Sequence, residues 1–344
     1  MKNNYSKSVL LGLLVLLGGL LSACGANGGS SSGSPSGSPS VEPSAGRASA
    51  ESSASAAQPE DSGASAEAGG MREYTDFSGR KSIIPEHPRK VVLLGNNPGD
   101  LLALGVKPIG NDWLGEPYMY KNRLEGVEDV GYPHNIEKIM SLQPDLILQN
   151  GYGDAEDDET YAAMSKIAPT AVFDRGASTY ERIRAIADIL GVKQAAEDWI
   201  VQYESKAKAM WQRIGLKEGD TAAVYLSLAG DFYVMGDFSL TRSLYQPGGF
   251  SPPPKVQELI DQGELFTMIS EEVIDEYAGD YVLLLSQPGT EDEQAARKLT
   301  ESAMWQSIPA FKNGKAYLFD IGWNAGDPIT MELLLEELPK LLGK

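Results

Sequence analysis

Six short apolar runs recur along this chain, and their spacing limits what it can fold into. They are KVVLLG (90–95), PDLILQN (144–150), TAVFD (170–174), TAAVYLSL (221–228), DYVLLLS (280–286) and KAYLFDIGW (315–323). Each is apolar on consecutive residues rather than alternate ones, the pattern of a strand covered on both faces. Between them NPGDLLALG, NIEKIMSLQ, DETYAAMSKIA, SEEVIDEYA and DEQAARKLTESAMW carry helical spacing. Such alternation builds α/β layers with right-handed crossovers. One region interrupts it. From Thr179 to about Ile214 there is no strand signal. TYERIRAIADILGV sets Ile183, Ile186, Ala187 and Leu190 on one helical face, and Gly191 breaks the pattern. KQAAEDWIVQYESKAKAMWQRIG then resumes it with Trp199, Tyr203, Ala207 and Met210. The expected organisation is an α/β lobe over 71–178, a helical region over 179–215 and a second α/β lobe over 216–344.

The amino terminus does not belong to either lobe. Lys2 and Lys7 precede an apolar run from Val9 to Leu21, followed by Ser22 and Ala23. This is the layout of a secretory signal over 1–23. The run is 13 residues long, short of the roughly 20 that a bilayer core needs. LSAC resembles the lipobox of bacterial lipoproteins, which implies that Cys24 becomes a lipid-modified first residue. Acyl chains on Cys24 then anchor the protein to the extracytoplasmic face of the cell membrane, with a Gram-positive cell expected. From Gly25 to Gly70 the sequence is mostly Ser, Gly, Ala, Pro and Glu with no aromatic residue. It cannot bury enough apolar surface to offset its ordering entropy, so 24–70 reads as anchor and tether. Cys24 is the only cysteine, so no intramolecular disulfide is possible.

Charge and composition exclude several function classes. The formal charge is -19, of which -17 falls after Gly70, which disfavours nucleic-acid binding. No thiol is free for catalysis once Cys24 is acylated. The folded part holds only His87 and His134, and it has no GxSxG elbow, phosphate loop or GxGxxG. No catalytic residue and no enzyme activity are expected, and His134 reads as an exposed residue before a helix. Two histidines 47 positions apart cannot make a three-imidazole metal site. The run Glu156, Asp157, Asp158, Glu159 reads as an acidic first helical turn rather than a hard-cation site. No metal site and no cofactor are expected.

Four segments, in order, resemble the iron-siderophore binding lipoproteins, the helix-hinged class of ABC-transporter substrate-binding proteins. They are HPRKVVLLGNNPGDLLALGVKPIG, DVGYPHNIEKIMSLQPDLILQNG, FTMISEEVIDEYAGDYVLLL and AMWQSIPAFKNGKAYLFD. The resemblance runs from about Tyr74 to Leu342. It implies two Rossmann-like lobes joined by a single long rigid helix, with ligand held between them. The joining part is 179–190, 193–214 or both.

In open α/β sheets ligands meet the loops at the carboxyl ends of strands. That rule selects Asn96, Asn97, Trp113, Asn150 and Tyr152 in the first lobe. In the second it selects Ser227, Met235, Phe238, Ser286, Gln287, Trp323 and Asn324. Aromatic bodies with polar tips suit a bulky, partly apolar chelate, and Trp113 and Trp323 stand out. The resemblance adds Arg242, which follows a GD turn as in related binders and can bridge acceptor oxygens in a fixed fork. Catecholate binders of the family carry a basic cluster, whereas AAVYLSLAG here shows Tyr225 and Ser227. A ferric hydroxamate or a mixed citrate-hydroxamate is therefore favoured over a ferric catecholate. The resemblance also implies that Glu137 and Glu272 dock onto the membrane subunits of the importer, with adjacent Glu271 as the alternative to Glu272. A monomer is expected. Two rival readings remain: the same fold carrying haem or cobalamin, with His134 or a Tyr as axial candidate, and a tethered surface enzyme or signalling ectodomain.

Overall fold

The computed structural model describes residues 70–113, 119–151, 155–228 and 230–343. The expected lipidation site Cys24 and the tether up to residue 69 lie outside the described residues, as does Tyr152. The first half of the described chain runs β1 (Met71–Thr75), β2 (Lys81–Pro85), β3 (Val91–Leu94), α1 (Gly99–Ala103), β4 (Gly110–Asn111), β5 (Glu128–Asp129), α2 (Ile136–Leu142), β6 (Leu146–Gly151), α3 (Ala155–Met164) and β7 (Thr170–Asp174). Two helices follow, α4 (Thr179–Ile189) and α5 (Lys193–Ile214). The second half runs β8 (Ala222–Leu228), β9 (Asp231–Met235), α6 (Leu240–Leu244), α7 (Pro254–Asp261), β10 (Phe266–Met268), α8 (Ile274–Tyr277), β11 (Tyr281–Ser286), α9 (Glu291–Thr300), α10 (Ala303–Ser307), α11 (Pro309–Lys312), β12 (Ala316–Asp320) and α12 (Pro328–Leu341).

The architecture is α/β, with two five-stranded sheets. The first has the order β5-β4-β3-β6-β7, and all its pairs are parallel. Its strands are apolar on consecutive residues because each face meets a different core. Val91, Leu93, Leu146, Leu148, Ala171 and Phe173 point into a cluster with α4 and α5. Val92, Leu94 and Ile147 point the other way, onto Ile139 of α2 and Met164 of α3. The second sheet has the order β10-β9-β8-β11-β12, with β8, β11 and β12 parallel. Its core gathers Tyr225, Val234 and Leu284 around Trp305, which Tyr225, Phe232 and Phe311 approach edge-on at 5.7, 5.2 and 5.3 Å.

Two features depart from the sequence expectation of parallel strands alone. β9 and β10 are antiparallel. Leu228 pairs with Asp231, which leaves room for a tight turn and none for a crossover helix. The antiparallel pair β1–β2 precedes the five-stranded sheet of the first lobe, and Ile84 of β2 is buried in that lobe's core. Its turn is fixed by Asp76, whose Oδ1 accepts from Ser78 N at 3.0 Å and Arg80 N at 2.8 Å.

The strand-free region resolves into two helices with different duties. α4 begins with a capping box in which Ser178 and Glu181 satisfy each other, and its apolar face lies in the first-lobe core. α5 is 22 residues long, about 33 Å at 1.5 Å per residue. Ala196, Trp199, Ile200, Tyr203 and Ala207 belong to the first-lobe core. One turn on, Trp211 meets Phe250 edge-on at 5.7 Å, and Phe250 packs on Tyr281 at 4.8 Å. α5 thus touches both lobes. The chain then crosses back after β12. In α12, Met331 joins the first-lobe core and Ile329 packs with Tyr120 and Leu124.

Candidate functional site

The rim of the first lobe is built by short side chains that satisfy one another. β3 runs into Gly95, whose φ of +71° is a left-handed turn and whose Cβ would collide with the Asn150 side chain. A glycine there lets Asn150, from β6, donate to the Gly95 carbonyl. Gly95 N donates to both oxygens of Asp112, at 2.9 and 2.8 Å. Asn111 donates to the Leu93 carbonyl at 2.9 Å and to the Asn96 carbonyl at 3.1 Å, and accepts from Trp113 N at 3.1 Å. The Asn96 amide goes to Asp100. Asn96 and Asn150 therefore shape the rim with their own amides. Above it, the Arg175 guanidinium lies over the Trp113 ring, 5.4 Å from its centroid.

His134 departs from the expected exposed position. Its Nε2 lies 2.9 Å from the buried Asp112 carboxylate, and Tyr132 meets its ring edge-on at 5.6 Å. The ring is held because Asp112, unreadable from spacing alone, sits one residue past β4. Nε2 is thus engaged by a carboxylate rather than open to an axial role.

The junction of the lobes collects a second group. Asn97 donates to the Ala325 carbonyl at 3.0 Å. Asn324 accepts from Leu240 N at 3.1 Å, at the start of α6. Trp323 stacks on Phe319 at 5.7 Å and 10°. Phe238 meets Phe266 edge-on at 6.0 Å. Arg242 is ion-paired with Asp237 at 3.3 Å, and its Nη1 reaches the Ala177 carbonyl of the first lobe at 3.4 Å. Met235 is buried inside β9. Ser227 and Ser286 are buried in their strands. Ser227 lines a cavity of about 610 Å³ with Met268, Glu271, Lys298 and Leu299, away from the other selected ligand residues.

At the root of the junction lies an ion cluster that the sequence did not reveal. Arg182 of α4 makes a bidentate pair with Asp100 of α1 at 2.9 and 3.0 Å, and also donates to the Gly326 carbonyl at 3.0 Å. Thr179 Oγ1 donates to the same carbonyl at 3.1 Å. Asp327 is fully buried and caps α12, accepting from Ile329 N, Thr330 N and Thr330 Oγ1 at 3.0, 3.1 and 2.7 Å. Burial pushes its carboxyl up to about 6, with Asp100 adding to the rise and Thr330 and Arg182 opposing it.

Glu137 lies exposed in the first turn of α2, whose cap Asn135 accepts from Lys138 N at 3.0 Å. Tyr132 and Met140 expose apolar surface nearby in the chain. Glu271 and Glu272 are both exposed in one 3₁₀ turn, just after exposed Met268. Among the described residues no group of three or more His, Cys, Asp or Glu side chains could hold a metal ion. In the acidic run, Asp158 of α3 pairs with Arg80.

This arrangement has known counterparts. Residues 95–320 match the periplasmic binding protein family. The chain belongs to that family. The family is one of solute-binding proteins, and the match spans both lobes. Among its relatives, the iron(3+)-hydroxamate-binding protein YxeB of Bacillus subtilis is 30% identical over 284 residues, covering 80% of this chain and 86% of YxeB. The probable siderophore-binding lipoprotein YfiY of the same organism is 28% identical, covering 76% of this chain and 84% of YfiY. A solved FhuD-fold binding component of a Fep/Fec-like ferrichrome ABC transporter, also from Bacillus subtilis, is 31% identical with a TM-score of 0.68. That match covers 79% of this chain and all of the other.

Proposed function

We propose that this protein is an extracytoplasmic receptor that captures a ferric siderophore between its lobes and delivers it to an ABC importer, without chemistry of its own. One observation carries the reading. Arg242 reaches from the second lobe to the Ala177 carbonyl, on the loop that also presents Arg175 over Trp113. Two guanidinium groups, one from each lobe, and the Trp113 indole thus lie close along the junction, which suits a bulky chelate rich in acceptor oxygens. The hydroxamate binding named for YxeB supports the same class. A ferric hydroxamate or citrate-hydroxamate is favoured over a trianionic catecholate, since of the junction arginines among the described residues Arg182 is already bidentate on Asp100 and Arg242 is paired with Asp237. α5 serves as the stiff joint, because it is packed into one lobe along most of its length and touches the other at its end. The receptor works as a monomer.

Titration with a panel of ferric siderophores, read by tryptophan fluorescence, is expected to give quenching by hydroxamates at a Kd at least tenfold below that for catecholates. Small-angle scattering of the loaded sample should show little compaction. Tight catecholate binding with no hydroxamate response would overturn the ligand class, and a large compaction would overturn the stiff joint. Cys24 anchors the receptor through lipid, a reading supported by the LSAC motif and the lipoprotein name of YfiY. Cys24→Ser should shift the protein from the membrane fraction to the medium; full retention of the variant on membranes would refute the anchor.

A further inference from the structure

α6 is five residues long, too short to hold its shape without outside contacts. Leu240, Thr241, Ser243 and Leu244 are buried, and Arg242 is half-buried. Whatever fixes α6 therefore aims Arg242. The first N–H of the helix is met from afar: Leu240 N donates to Asn324 Oδ1 at 3.1 Å, 84 positions on. The residue before it, Ser239, has φ +48° and ψ -104°. Residues with a Cβ avoid that backbone conformation, and it persists only where neighbours impose it. Here two do. Thr241 Oγ1 donates to the Gly236 carbonyl at 2.5 Å and accepts from Phe238 N at 3.0 Å, which closes the turn. Gly326, with φ +66°, packs on Ser239 so closely that a Cβ there would collide with it. The Gly326 carbonyl is in turn held by Thr179 and Arg182 of the first lobe. The turn is thus pinned from both lobes, and Arg242 lies between Asp237 of its own lobe and the Ala177 carbonyl of the other.

We propose that Asn324 and Ser239 are positioning residues of the siderophore site, which hold α6 in a strained setting that points Arg242 across the junction. The inference rests on the siderophore reading given above. Asn324, selected from the sequence as a ligand contact, acts through its side-chain oxygen on the Leu240 N–H. Ser239 acts through its backbone. Because both work through Arg242, their effects on affinity and that of Arg242 are not additive. Strain at Ser239 serves aim rather than stability, so its relief favours stability at the expense of affinity.

Full-length variants are titrated with the ferric siderophore that binds tightest in the panel, ferrioxamine B being the first probe, and unfolding is measured alongside. Asn324→Ala is expected to raise Kd about five- to tenfold, the equivalent of one lost cap. Asn324→Asp keeps the acceptor oxygen and should stay within about twofold of the native Kd. A loss as large as that of Asn324→Ala would mean that the Asn324 amide contacts the chelate, and overturns the inference. Ser239→Gly suits the positive φ, so Tm should hold or rise while Kd rises about threefold. An unchanged Kd, or a joint fall of Tm and affinity, overturns the role given to Ser239. In an Arg242→Gln background Asn324→Ala should change Kd by less than about twofold. Should Asn324→Ala not fold, Ser239→Gly carries the same comparison. An undiminished effect in that background, or no effect of Arg242→Gln alone, overturns the inference and leaves the siderophore reading standing. Failure of the unmodified protein to bind any ferric siderophore overturns both.

Discussion

Replacing Arg182 with leucine is expected to destabilise the protein by about 3–5 kcal/mol, a fall in Tm of roughly 6–20 °C. The guanidinium is bidentate on Asp100 and also holds the Gly326 carbonyl. Asp100 and Asp327 are both 0% exposed. Leucine fills part of the volume and leaves two carboxylates buried without a cation, and a buried charge stripped of its partner is costly. Asp327→Asn is the informative contrast. Asparagine keeps the cap on α12 and removes one negative charge. Because burial raises the folded-state carboxyl of Asp327 to about 6, above the unfolded value of about 3.9, the folded state binds the extra proton between those limits. Stability contributed by this group therefore declines as pH rises from about 4 to about 6. Asp327→Asn should flatten that part of the pH profile and be neutral or mildly stabilising at pH 7. Denaturant unfolding across pH checks both variants. A small loss for Arg182→Leu, or an unchanged pH slope for Asp327→Asn, would show that the cluster is solvated.

The largest functional effect is expected from Glu137→Ala combined with Glu272→Ala. Both residues are exposed, one on each lobe, so their removal should leave siderophore affinity within about twofold. Importer-dependent uptake should fall tenfold or more, since paired surface charges steer and register a protein on its partner. Added salt should weaken uptake by the native receptor in the same direction, because exposed pairs are screened. Uptake assays in cells expressing the importer, with binding measured in parallel, separate the two effects. If the double variant imports normally and Glu271→Ala does not, the docking charge of the second lobe is Glu271.

The parallel strands were legible because each is sandwiched between two cores, and that requirement writes itself as consecutive apolar residues, as in Val91 to Leu94. The long helices were legible from periodic spacing. The antiparallel direction of β9 escapes the sequence because a connection of two residues after β8 decides it and leaves only a faint mark, and β10, of three residues, is too short to show as an apolar run. The Arg182–Asp100 pair joins residues 82 positions apart, and no local pattern encodes it. His134 looked exposed for the same reason: its partner Asp112 is 22 positions away. Arg175 was within reach. It directly follows the strand TAVFD, and the rule of carboxyl ends that selected Asn96 and Asn150 applies to it equally.

The return of the chain through residues 321–327 alters the mechanics of the receptor. Up to Asn324 the side chains engage the second lobe, through Trp323 on Phe319 and Asn324 on Leu240. From Ala325 onward the first lobe takes over, through Asn97, Thr179 and Arg182. A body fastened at one point can swivel in any direction. Fastened at more than one, at the end of α5, at the peptide between residues 324 and 325 and through Arg242 on the Ala177 carbonyl, it is held against such swivelling. Torsion of one lobe against the other is thereby resisted more than by a single joint, which limits how far the exposed Glu137 and Glu272 can shift against each other.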